Sequence, residues 1–297
     1  MCSNVNSEEI SWNLTKSKTY KILLNVLLRV PDVFYSALFA VAFPIYRALH
    51  TKRAYGRTEK HLAAAKAYLK TSVQARDVFK GIFWNALDSY RGLARFKSVE
   101  SCVVYENENV IYKAIAECSK MGKPIAGISI HQGAFELMHR TLCRYSEHVH
   151  LITDSVGDVA FREVLKELRS DPHLTEYHPE EMVKLIRELF RTKGILAMVF
   201  DQGRHTKGNR VTLFGRSSKL YLRLPQKVNE MGAGIVVFRT WTEYAPRKRI
   251  VVRFEKYFPP YYDKRGGNLV SDIARETERW ISEHPEQWSW NYHGNFV

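Results

Sequence analysis

The sequence predicts an α/β fold with a mostly parallel central sheet flanked by helices, preceded by an N-terminal helical membrane anchor. Three observations predict it. Short apolar runs alternate with segments of helical periodicity, the order that builds parallel sheets. The runs at 124–130 and 195–200 are apolar almost throughout, as in strands covered on both faces. The region 20–48 is the most apolar of the chain, and Arg47, Lys52, Arg53, Arg57 and Lys60 follow it closely.

Taken in order, Val33 to Tyr46 is an uncharged run of 14 residues, short of the roughly 20 a spanning helix needs. Extending it back to Ile22 supplies the length but includes Arg29, Pro31 and Asp32. A kinked spanning segment, a helix pair lying in the headgroup region and a core helix of a soluble protein all fit this pattern. The cations that follow favour an anionic membrane surface. Residues 1–50 are therefore expected to form a membrane-associating segment and 51–297 the α/β domain. Residues 56–95 read as one or two amphipathic helices, and 106–121 as another that stops at Gly122. Strands are expected at 124–130, 149–152, 195–200, 210–214, 234–240 and 250–254. Helices are expected at 161–168, 180–190, 217–231 and 269–283.

The chain has 297 residues, enough for a substantial core, and its 45% hydrophobic and 26% charged content is that of a globular protein. Its formal net charge of +14 favours an anionic partner. The cations are dispersed and no nucleic-acid recognition motif accompanies them, so no nucleic-acid partner is expected. Cysteines 2, 102, 118 and 143 form neither a CxxC pair nor a zinc spacing, which points to free thiols in a reducing compartment and to no metal site. The opening Met-Cys-Ser-Asn-Val-Asn-Ser-Glu-Glu lacks the pattern of a signal peptide.

His131-Gln132-Gly133-Ala134-Phe135-Glu136 follows the 124–130 strand and precedes a helical pattern. Ligands of open α/β sheets bind at that carboxyl edge. On one regular helix, residues five apart face different ways. His131 and Glu136 therefore pair only if His131 lies in the turn before the helix and Glu136 about one turn inside it. Gly133 eases such a turn. A paired carboxylate would fix the imidazole tautomer and equip His131 as a general base toward a hydroxyl. The alternative is a buried histidine satisfied by some nearby acceptor.

Asp201-Gln202-Gly203-Arg204 follows the 195–200 strand, so in a parallel sheet it shares an edge with His131. The loop after it carries Arg204, His205, Lys207, Arg210 and Arg216, cations suited to phosphate or carboxylate groups. Arg169 ends a helical pattern within reach of that edge. Arg239 lies inside a strand, where an inward guanidinium needs a partner. Trp280, Trp288 and Trp290 read as core or interface aromatics.

These residues carry a family likeness. His131 to Glu136 resembles the H-x4-D/E motif of the lysophospholipid acyltransferase superfamily. Asp201-Gln202-Gly203 with Lys207-Gly208 and Leu213-Phe214-Gly215 resembles a second family block, and His284-Pro285-Glu286-Gln287-Trp288-Ser289-Trp290 a third. Together they resemble the late acyltransferases of lipid A biosynthesis, of the lauroyl/myristoyl type, over most of residues 25–297. The resemblance implies an enzyme on the cytoplasmic face of a bacterial inner membrane. It implies transfer of a fatty acyl chain from acyl carrier protein, or from coenzyme A, to a hydroxyl of a phosphorylated glycolipid. No cofactor beyond that co-substrate is implied. His131 would be the general base and Glu136 its orienting partner, with Asp201 and Gln202 in the family's site block and Arg169 as its arginine. Arg204 and Arg239, read from the residues alone, are also expected toward the substrate. Two stretches depart from the family pattern. Residues 151–158 stand where a Tyr-Arg-Pro…Asn pattern is usual, and 291–296 where His-Arg-Arg is usual. Cations lost at both places imply a different acceptor headgroup, such as a lysophospholipid, an aminolipid or a mannosylated phosphoinositide. A catalytically silent membrane-binding relative is the remaining alternative.

Overall fold

The computed structural model describes residues 17–26, 28–50, 54–153, 159–202 and 207–290. The N-terminal part is helical: α1 (17–26), α2 (Asp32–His50), α3 (Gly56–Ala65), α4 (Ala75–Ala94) and α5 (Phe96–Val99). Then follow β1 (Val103–Glu106), α6 (Asn109–Lys120), β2 (Ile125–Ser129), α7 (Met138–Cys143), β3 (Val149–Ile152), α8 (Val159–Arg169), β4 (Leu174–Tyr177), α9 (Met182–Thr192) and β5 (Ile195–Val199). The chain continues through β6 (Asn209–Leu213), β7 (Arg216–Leu220), α10 (Arg223–Glu230), β8 (Gly234–Glu243), β9 (Arg249–Phe258) and α11 (Leu269–Glu283).

Seven strands form one sheet in the order β1-β9-β8-β2-β5-β3-β4. Every neighbouring pair is parallel except β8 with β9. Alternation along each strand feeds two cores. Ala126, Ile128, Leu196, Met198, Ile235 and Val237 face a cluster closed by α4, α9, α10 and α11. Ile125, Ile195, Ala197, Val236 and Phe238 face the opposite cluster, closed by α6 and α7. A strand buried on both faces has no polar side, which is why these runs read as continuously apolar. Helix ends are set by local chemistry: Asp77 accepts from the Gln74 amide to start α4, and Asn268 accepts from the Ser271 amide to start α11.

Two expectations change. The segment 217–231 is not one helix: β7 and β6 form an antiparallel hairpin, and α10 starts only at Arg223. Phe214 and Gly215, at the tip, both have positive φ (52° and 70°), the backbone that a two-residue hairpin turn requires. Burial holds Phe214 there, against Trp290 and Tyr68. Strands β1 and β4 at the sheet edges were not expected. Each is four residues long and only partly buried, so the apolar pattern is weak.

Among the described residues no helix is long and apolar enough to cross a membrane. Helix α2 lies against the body instead. Tyr35, Phe39 and Phe43, spaced i, i+4 and i+8, pack on Trp84, Phe83 and Phe79 of α4. Its other face carries Phe34, Leu38, Val41 and Ile45 at i, i+4, i+7 and i+11. With Val33 and with Ile22, Leu23 and Val26 of α1, each of these is at least 51% exposed. Helix α1 meets α8 through Tyr20 on Phe161 and through the ion pair of Lys21 with Glu167.

Candidate active site

Strand register builds the site. β2 and β5 are parallel neighbours, and Ser129 pairs with Val199. That offset of 70 continues two residues further, where it sets His131 beside Asp201. His131 Nδ1 lies 2.8 Å from Asp201 Oδ1. The His131 backbone amide donates to both carboxylate oxygens at 3.1 Å. Trp288 Nε1 donates to Asp201 Oδ2 at 2.9 Å. A carboxylate only accepts, so Nδ1 carries the proton and donates. The lone pair then sits on Nε2, which no protein group among the described residues engages. The Asp201 side chain is fully buried while that of His131 is 18% exposed, so the ring is accessible from outside and anchored from within.

The turn after β2 is shaped by contact. Gly133 has φ +57°, and a Cβ there would lie 2.5 Å from the Thr240 carbonyl oxygen of β8, so no other residue fits without displacing that strand. Thr240 Oγ1 donates to the Gln132 carbonyl. A C-terminal strap, residues 284–290, crosses the turn. Gly133 N–H donates to the Gln287 carbonyl, Gln132 pairs with Trp288, and the Gln132 side-chain amide donates to the carbonyls of Trp280 and His284. The strap is held from behind by Asn85 of α4, which donates to the Gln287 carbonyl at 2.8 Å, and by Gln287 bonding both ways to the Thr242 backbone.

Glu136 is not the partner of His131. It lies in a short 3-10 turn, Phe135–Leu137, where Phe135 rather than Glu136 meets the imidazole, ring centroids 4.6 Å apart. The Glu136 carboxylate forms a two-pronged pair with Arg169, 2.9 Å from Nε and 2.7 Å from Nη2. Both residues lie at the strand–helix junction, with Glu136 just before the helix rather than a turn inside it. His131 pairs with Asp201 instead because an acceptor on the neighbouring strand lies closer than one five residues along. Glu136 still acts through its charge. Burial opposes a charged His131 ring, but Asp201, by charge and hydrogen bond, and then Glu136 outweigh it, so the His131 pKa is raised above the ordinary value. Burial alone would raise that of Glu136, yet Arg169 holds it below the usual carboxylate range. Burial pushes His139, next along α7, down to about 3.

Arg169 thus reaches the edge as expected, but with its guanidinium engaged by Glu136. Gln202 lies half-buried next to Asp201. Arg204, with Gly203 and His205, lies outside the described residues. Lys207, Arg210 and Arg216 are exposed, the last two on the β6–β7 hairpin. The buried guanidinium of Arg239 is engaged within the fold, pairing with Glu255 at 2.6 Å and Glu283 at 2.5 Å. The partner an inward arginine needs is supplied within the protein. Trp288 is buried, as its reading as a core or interface aromatic implies, but its bond to Asp201 was not expected. Its place beside Gln287 in the third sequence block was the one signal available. Among the described residues no His, Cys, Asp and Glu cluster suits a metal ion.

Fold and site together define a class: a mostly parallel α/β protein with an Asp-anchored histidine at the carboxyl edge of two adjacent central strands. Beyond that class, no protein-family model matches the chain, and no curated protein matches it.

Proposed function

We propose that the chain is an acyltransferase that moves a fatty acyl group from a thioester to the hydroxyl of a phosphorylated glycolipid at a membrane surface. His131 Nε2 takes the hydroxyl proton as the oxygen attacks the thioester carbonyl. The C–S bond breaks on collapse, and the thiolate leaves with that proton. Asp201 orients the ring and stabilises the imidazolium. Nothing covalent forms on the protein, because the thioester is already activated. The donor is acyl carrier protein or coenzyme A.

One observation carries this reading. The three sequence blocks that resemble the lipid A acyltransferases are separated by about 70 to 90 residues, yet they meet at one point. His131 of the first bonds Asp201 of the second, and Asp201 bonds Trp288 of the third. Phe214 of the second block also packs on Trp290 of the third. Core packing alone does not require three motif segments to share one histidine. The exposed apolar face of α1 and α2 supports a bilayer as the place of reaction, with the helices in the headgroup plane rather than across it.

The test is a lipid mass spectrum of cells with and without the protein, with His131→Ala as control. An acyl mass on a phosphorylated glycolipid, present with the native chain and absent with the variant, is the expected result. Loss of a general base lowers turnover by about two to four orders of magnitude. The same shift on a phospholipid or aminolipid replaces the acceptor and keeps the chemistry. No shift in any lipid class overturns the reading and leaves a silent membrane-binding relative.

A further inference from the structure

We infer that Trp288 is a positioning residue of this site: its indole N–H fixes the Asp201 carboxylate, which in turn fixes the proton on His131 Nδ1. The inference rests on the reading of His131 as a base but concerns a residue outside the His131–Glu136 segment and outside the His131–Asp201 pair. A fully buried carboxylate must have its oxygens met by donors. Oδ1 receives His131 Nδ1 at 2.8 Å, and the backbone amide of His131 is shared between both oxygens at 3.1 Å. Oδ2 receives Trp288 at 2.9 Å, a shorter bond than its share of that amide. Without the indole N–H, Oδ2 loses the shorter of its two donors among the described residues, and the carboxylate loses a reason to hold Oδ1 toward the ring.

Burial does not by itself demand this bond. The indole nitrogen of Trp280 is buried with no hydrogen-bond partner among the described residues. That of Trp290 donates to the Pro285 carbonyl. Trp288 alone of these three is aimed at a side chain of the site. It is also the residue whose backbone pairs with Gln132, next to the histidine. The strap thus delivers the indole to Asp201 and clamps the His131 turn with the same few residues. The site is incomplete without a segment more than 150 residues downstream of its histidine.

The experiment uses the full chain labelled with 15N-histidine, His131 being assigned by the signal lost in His131→Ala. Trp288→Phe keeps most of the ring volume and removes the N–H. Trp290→Phe makes the same change beside it, at ring centroids 4.8 Å apart, without touching Asp201. At alkaline pH the native protein and W290F are expected to show His131 as a single tautomer protonated at Nδ1, and W288F a mixture of tautomers. Transfer by W288F is expected to fall about 10–100-fold in kcat, as for loss of an outer-shell partner, with KM little changed. A single Nδ1–H tautomer in W288F, with the kcat of W290F, overturns the proposal.

A second measurement needs no variant that folds. In the native protein the Trp288 indole N–H resonance is expected to move with the midpoint of His131, because both donate to one carboxylate. Among the described residues, the charges that face the ring are Asp201 and Glu136, with Arg169 and His139 behind Glu136. An indole resonance that stays flat through that titration overturns the proposal. A mixed tautomer in W288F with no acyl transfer by the native chain keeps Trp288 in its role and removes the acyl-transfer reading alone.

Discussion

At the residue scale, the Glu136–Arg169 pair and the His131–Asp201 pair are separable by experiment. A general base works as the neutral ring, and the His131 pKa is raised. The acid limb of kcat/KM is therefore expected above about 6.5, the ordinary histidine value. The sign for stability is opposite: a raised histidine pKa adds stability that is full below about 6.5 and is lost as pH rises through the folded value. Glu136→Gln removes a negative charge near the ring and leaves the Arg169 cation balanced only in part, by Glu176, and both lower the His131 pKa. The acid limb is expected to move to lower pH. Loss of the two-pronged charged pair at the Arg169 guanidinium is expected to cost about 2 kcal/mol of stability. The double variant Glu136→Met, Arg169→Met is expected to regain most of that loss, which thermal melts would show. If E136Q leaves both the pH profile and the melting temperature unchanged, this account of Glu136 is wrong. The histidine and the aspartate were legible in the sequence because each follows an apolar strand. Their pairing was not, because it depends on β2 and β5 being neighbours in register, which no local spacing encodes.

At the scale of the element, α2 shows how one apolar run serves two surfaces. Tyr35, Phe39 and Phe43 enter the body, and Phe34, Leu38, Val41 and Ile45 do not. A core helix of a soluble protein, one of the readings the sequence allowed, leaves no such outward stripe. Replacing the four outward residues with serine is expected to change stability by no more than about 0.5 kcal/mol each. Phe43→Ala, on the inward face, is expected to cost about 3–5 kcal/mol. In vesicle flotation the order reverses, with the quadruple serine variant staying in the soluble fraction and folded F43A floating. Quadruple serine protein that floats as well as native would remove the stripe from the membrane-binding account. The long buried strands and amphipathic helices were legible because their periodicity is strong. Strand β6 was legible, but its partner β7, Arg216-Ser217-Ser218-Lys219-Leu220, was hidden because only Ser218 and Leu220 turn inward. The turn signal, Gly215, lay just before the segment taken as a helix.

At the scale of the whole molecule, two forces act on any encounter with a membrane, and they respond differently to salt. The formal charge of +14 spreads an attraction over the surface, screened over about 8 Å at physiological ionic strength. The outward stripe of α1 and α2 acts by burial, which salt does not screen. Composition made the charge legible. It did not show where the cations point, and many prove to be spent within the fold: Arg239 and Arg279 bind Glu255, Arg169 binds Glu136, and Lys248 binds Asp88. Each such pair cancels one cation against one anion, so the excess of +14 is unchanged and acts on a partner beside the burial of the stripe. Native protein is expected to bind anionic vesicles more tightly than neutral ones at low salt. As salt rises from about 0.05 to 0.5 M, which shortens the screening length severalfold, binding to anionic vesicles should fall to the level of neutral ones and stop there. Binding to neutral vesicles should hold steady. A fall to zero on both would mean that charge alone brings the protein to the surface. Equal binding at every salt would mean that the cations serve the fold and the stripe alone finds the bilayer.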